Sequence, residues 1–119
     1  MIDNRLKIIK LLDFWKVIKM RYMYHATPYE NLGKILENGL VPGPDGLIYL
    51  TEKPTDAVKF IAIRGYRDIL VVEVKIPKKL ENTIEETFDH SERFFQCRSF
   101  ASTVPIKSDR IKDYYRYSI

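Results

Sequence analysis

The sequence predicts an α+β domain, and three observations carry that expectation. The chain has 119 residues, a length that one domain accounts for. It is 45% hydrophobic and 30% charged, a globular balance that excludes a disordered tail, a collagen-like repeat or a low-complexity linker. Strand-like and helix-like segments are interspersed without the regular strand–helix–strand rhythm of a doubly wound parallel sheet.

Residues 1–20 read as a basic amphipathic helix placed before a domain of 21–119. Ile8, Leu11, Leu12, Trp15 and Ile18 recur at steps of three and four, which puts them on one face. Lys10, Asp13, Lys16 and Lys19 interrupt any apolar run long enough to span a bilayer, and no cleavable leader pattern is present. The helix packs on the domain or on a second copy, or lies on a membrane or nucleic acid. Met20 is a second candidate start. The net charge of +4 belongs to this end. Residues 1–22 hold six basic side chains against Asp3 and Asp13, while 23–119 hold fourteen of each sign. The single cysteine, Cys97, excludes an internal disulfide and points to a reducing cytoplasm.

Residues 21–25 form a short aromatic strand. Thr27, Pro28 and Glu30 have the spacing of a capping box, so a helix is expected from Thr27 to the Asn38-Gly39 stop. Residues 41–46 are loop by composition and 47–51 a second strand. Pro54 opens another helix, ended at Gly65. The run 69–76 is the strongest strand of the chain, stopped by Pro77. Residues 78–92 are polar and acidic, a loop with one weak helical turn. A strand is expected over 94–103, broken by Val104-Pro105, and the tyrosine-rich end closes as a last strand.

Chemistry has few places to reside. With His25 and His90 as the two histidines, a multi-histidine metal site is excluded, and neither a phosphate-cradling glycine loop nor a nucleophile elbow is present. His25 at a strand end and Tyr49 at the next remain. Taken singly, each is as readily a structural residue. His90 reads as exposed loop and Cys97 as a buried small side chain.

Together with their surroundings they resemble the ADP-ribosyltransferase superfamily. Tyr24-His25-Ala26-Thr27 followed by Leu32, Ile35-Leu36 and Gly39-Leu40 is similar to that superfamily's opening motif. Gly46-Leu47-Ile48-Tyr49-Leu50-Thr51 is similar to its second, the strand carrying an aromatic. Phe60 follows Tyr49 by eleven residues, the offset of a second aromatic in the poly-ADP-ribosyltransferase branch, and Ala57 matches a small residue on the same helix. The resemblance covers about residues 21–115. It implies a compact split-sheet core with short helices, and NAD as co-substrate without a metal. It also implies roles. His25 bonds a ribose hydroxyl on the adenosine side, the Ala26 backbone bonds the carboxamide with Thr27 nearby, and Tyr49 and Phe60 sandwich the nicotinamide.

One departure bears on activity. The glutamate that many members carry on a later strand is absent from Gln96-Cys97-Arg98-Ser99, although Glu92 is near. A second branch, the RNA 2′-phosphotransferases, is similar at Ala57, Ile63-Arg64-Gly65 and Leu70–Val74, and again at Arg93, Val104-Pro105 and Ile111. In that branch Arg64 falls on a phosphate-binding arginine, and Arg64 and Arg98 are the candidate phosphate binders here, though residues 1–20 are too short for its N-terminal lobe. Arg64, Arg93 and Arg98 read equally as a helix-end cation and solvated charges. The expected function is a cytoplasmic NAD-dependent transferase with His25, Tyr49 and Arg98 as catalytic residues. His25, Ala26, Thr27, Tyr49, Phe60 and Arg64 bind the dinucleotide. The acceptor is a nucleic acid or a protein, or the chemistry is 2′-phosphotransfer. The alternative is a non-catalytic module that binds NAD or ADP-ribose. A third reading makes the basic N-terminal helix the working part, attaching the domain to nucleic acid. Separately, that helix is the expected contact of a homo-oligomer.

Overall fold

A computed structural model of the chain describes residues 21–87 and 98–119. The expected N-terminal helix, together with Glu92, Arg93, His90 and Cys97, lies outside the described residues. Six strands form one antiparallel sheet. They are β1 (Arg21–Pro28), β2 (Ile48–Thr51), β3 (Asp68–Ile76), β4 (Ile84–Thr87), β5 (Ser99–Ser102) and β6 (Ile111–Ser118), in the spatial order β4-β5-β2-β1-β3-β6. Three short helices connect them: α1 (Leu32–Asn38), α2 (Pro54–Ala62) and α3 (Lys78–Glu81). The α+β class expected from the sequence is the one observed.

β3 is the spine. Its Ile-Leu-Val-Val core is continuously apolar because both sheet faces are covered, and Ile69, Leu70, Val71 and Val72 are all 0% exposed. Alternation sends Leu70, Val72, Val74 and Ile76 to one face, where they meet Met23, Ile35, Leu40, Ile48, Leu50, Phe100 and Ile106. Ile69 and Val71 point the other way, against Ala26 and the Ala57 side of α2. The C-terminus of α1 is fastened to the far end of the chain. Leu40 and Ile106 exchange both backbone hydrogen bonds, at 2.8 and 2.9 Å. Gly39, at φ +75°, takes the chain through that contact with no room for a Cβ beside the Ile106 carbonyl.

Three expectations change. β1 extends to Pro28 rather than ending at His25, because Thr27 and Pro28 continue the ladder with Leu70 and Ile69. The capping box therefore does not form. A 3-10 turn, Tyr29–Asn31, precedes α1, and the Thr27 hydroxyl accepts a hydrogen bond from the Asn31 amide at 2.8 Å. Within 78–92 the expected helical turn is present as α3, but Ile84–Thr87 is a strand, recruited by four-position pairing with β5. Of the strand expected over 94–103, residues 98–103 are described, and the strand among them is the four residues of β5.

Candidate functional site

β1 and β2 meet at the register pair Tyr24↔Thr51. Carried forward, that register would set Ala26 opposite Tyr49, yet no ladder pair forms there. The His25 side chain spans the gap instead, with its Nδ1 2.8 Å from the Tyr49 carbonyl oxygen. A carbonyl can only accept, so Nδ1 carries the proton. Desolvation pulls the imidazole below its usual 6.5, an effect the Tyr49 carbonyl partly offsets. The ring is therefore neutral at pH 7, and its Nε2 is an acceptor.

α2 supplies the opposite wall. Pro54 starts it at the position where a missing N–H costs nothing. Ala57, 2% exposed, lets the helix lie close against Ala26, Ile69 and Val71. Ala57, Phe60, Ile61 and Arg64 then fall at helical steps along one stripe, and all four line the cleft. Arg64 stands in the turn that Gly65 closes at φ +95°. The inner cleft, about 170 Å³, is bounded by Tyr24, His25, Ala26, Tyr49, Phe60 and Ser99 among others. It opens to an outer space of about 600 Å³ that adds Thr27, Asp45 and Tyr66 and shares His25, Ala26, Tyr49, Ile61 and Arg64. Together these reach the size range of nucleotide-sized ligand sites, about 300–1,000 Å³.

The structure thus brings together His25, Ala26, Tyr49, Phe60 and Arg64, with Thr27 on the outer rim. It does not bring in Arg98. That guanidinium lies over the Phe100 ring and makes two 2.9 Å hydrogen bonds to Glu86, with Glu52 at 3.7 Å. The residue that turns to the inner cleft at this point is Ser99, whose hydroxyl is hydrogen-bonded to Thr87. Among the described residues no carboxylate lines the inner cleft, and no cluster of three or more His, Cys, Asp or Glu could hold a metal. The described helices include none long and apolar enough to cross a membrane.

Sequence reasoning missed Asp45. Its Oδ2 accepts the Tyr49 hydroxyl at 2.5 Å and its Oδ1 the Leu47 N–H at 3.1 Å, and the Tyr49 bond is the main reason its pKa is lowered. It also missed a buried charge behind the cleft. Glu73 on β3, 6% exposed, accepts the Tyr115 hydroxyl at 2.9 Å and pairs with Lys112 at 3.3 Å. The register shift in β6 beside Glu73 explains that pairing, because it turns Ile111 to the core and frees Lys112 to face the carboxylate. Glu73 in turn contributes, after burial, to raising the pKa of Tyr24 on the cleft wall.

No protein-family model matches the chain, and no curated protein matches it.

Proposed function

We propose that the β1–β2 cleft is an NAD site and that the chain is an NAD-dependent transferase related to the ADP-ribosyltransferases. The observation that carries this reading is the convergence of His25, Tyr49 and Phe60, distant in sequence, on one cleft beside Arg64. The donor set suits the ligand. Aromatic rings suit a cationic pyridinium, a neutral imidazole Nε2 accepts a ribose hydroxyl, and an arginine pairs with phosphate. The Ala26 backbone at the gap is the candidate partner for the carboxamide.

In the reaction so read, the nicotinamide–ribose C–N bond breaks and its electron pair leaves with neutral nicotinamide. The oxocarbenium carbon that remains is captured by an acceptor nucleophile, which loses its proton to solvent or a base. His25 and the two aromatic side chains hold the dinucleotide and orient the breaking bond. The acceptor is a nucleic acid or a protein, or a 2′-phosphate on RNA. Transfer of single units fits better than chain elongation, since the inner cleft has no carboxylate of its own among the described residues.

That same feature favours a second reading, a module that binds NAD or ADP-ribose without turning it over. Nicotinamide release separates the two. Incubation with NAD and candidate acceptors is expected to liberate nicotinamide in step with modified acceptor, and His25→Ala to abolish both. Saturable NAD binding with no nicotinamide release would establish the binding module instead, and absence of both would refute the proposal.

A further inference from the structure

We infer that Asp45, acting through the Tyr49 ring, makes this cleft selective for a cationic pyridinium over the neutral dihydropyridine of the same dinucleotide. The inference rests on the NAD reading above and names the residue that sets its redox-state preference.

Asp45 lies in the turn that leads into β2, and the turn is tightly tied. Gly43 N–H donates to the Leu47 carbonyl at 3.1 Å, and Gly46 N–H donates to the Gly43 carbonyl at 2.9 Å. Both Asp45 carboxylate oxygens are engaged by the strand that follows, one by the Leu47 N–H and one by the Tyr49 phenol. The carboxylate is thus fixed relative to the Tyr49 ring, and those bonds hold it in the anionic form.

Two effects follow for a ring resting on Tyr49. A phenol that donates to a carboxylate is richer in π electron density, so its face attracts a cation more strongly. The carboxylate also places a negative charge on the rim, and among the described residues Asp45 is the one carboxylate lining either part of the cleft. Arg64 lines both parts of the cleft and offsets some of that charge, but it presents the same charge to the phosphates of both forms of the dinucleotide, while Asp45 is tied to Tyr49 itself. Oxidised and reduced nicotinamide share the ribose, phosphate and adenosine contacts and differ in the ring, which loses its positive charge on reduction. The affinity ratio between the two forms therefore isolates what the site does with the ring's charge, and its change on substitution isolates what Asp45 contributes.

The test measures binding of NADH by its fluorescence and of oxidised NAD by competition, for the wild-type chain, Asp45→Asn and Tyr49→Phe. The wild type is expected to prefer the oxidised form by about tenfold. Asp45→Asn keeps a carbonyl acceptor but loses the charge, and should reduce the preference to about twofold by weakening the oxidised form alone. Tyr49→Phe keeps the ring and the rim charge but breaks the link, and should lower the preference to a value between those of the wild type and Asp45→Asn. It also carries the test if thermal unfolding shows Asp45→Asn to be unfolded. An unchanged ratio, or equal weakening of both forms, would give Asp45 a purely structural role and overturn the inference while leaving the NAD site intact. No saturable binding of either form to the folded wild type would overturn the NAD reading and the inference with it.

Discussion

β1 has two neighbours and treats them differently. It pairs with β3 at eight consecutive positions, from Arg21↔Ile76 to Pro28↔Ile69, and with β2 at Tyr24↔Thr51. On the β3 side the ladder satisfies the backbone, the run Ile69–Val72 beside it is fully buried, and the buried carboxylate of the strand, Glu73, is matched by Lys112 and Tyr115. On the β2 side the ladder stops, and a histidine side chain takes over the bond a backbone N–H would have made. Tyr49 stays 40% exposed. The difference shows how one sheet provides both stability and a site. Continuous pairing fills space, and interrupted pairing leaves room that polar and aromatic side chains can line.

The largest effect that tests this contrast is on stability. Leu70→Ala on the closed side removes a fully buried side chain and should cost about 2–5 kcal/mol in urea unfolding. Tyr49→Ala on the open side should cost under about 1 kcal/mol, while NAD affinity falls by at least about tenfold. Equal destabilisation by the two would break the contrast.

The pH dependence sharpens it, because each side has its own limb. The folded-state pKa of His25 is depressed below 6.5, so the unfolded chain binds protons more readily. Its contribution to stability is complete above 6.5 and is lost as the pH falls through that value toward the folded one. Protonation also removes the Nε2 acceptor, so NAD binding should weaken in the same direction. Tyr115 is the reverse case. Its hydrogen bond to Glu73, helped by desolvation and charge, pushes it from 10.0 up to about 12. The stabilisation is present below 10.0 and lost as the pH rises toward about 12. Melting temperatures across pH should show an acid limb that His25→Ala flattens and an alkaline limb that Tyr115→Phe flattens. Limbs insensitive to these changes would contradict the assignment.

The smallest effect concerns Arg98. Its pairs with Glu86 and Glu52 are exposed, so Arg98→Ala should cost less than about 1 kcal/mol and leave NAD affinity unchanged. A large loss of affinity would return Arg98 to the cleft, where the sequence had suggested it.

The elements that carry His25, Tyr49 and Phe60 were legible in local pattern: an aromatic strand, the next strand, and a helix that Pro54 starts. The three residues themselves stood out only through the resemblance, and His25 proves to lie inside β1 rather than at its end. Other features depended on pairing that no local pattern encodes. Thr27 and Pro28 look like a helix start, but two more rungs with β3 outweigh a cap. Ile84-Glu85-Glu86-Thr87 looks like an acidic loop and becomes a strand because β5 pairs with it. That pairing also puts Glu86 beside Phe100, within reach of Arg98 twelve residues away. Asp45 sits in a Pro-Gly-Pro-Asp-Gly run where aspartate reads as a turn residue, so its hold on Tyr49 left no signature beyond a spacing of four.

The central claim is that the gap between β1 and β2 binds NAD through its aromatic walls. Calorimetric titration of NAD into the wild-type chain and into Phe60→Ala tests it most directly. The account predicts one saturable site in the wild type, and at least about tenfold weaker binding in the folded variant. Equal affinity in the two, or no binding by a folded wild-type chain, would contradict it.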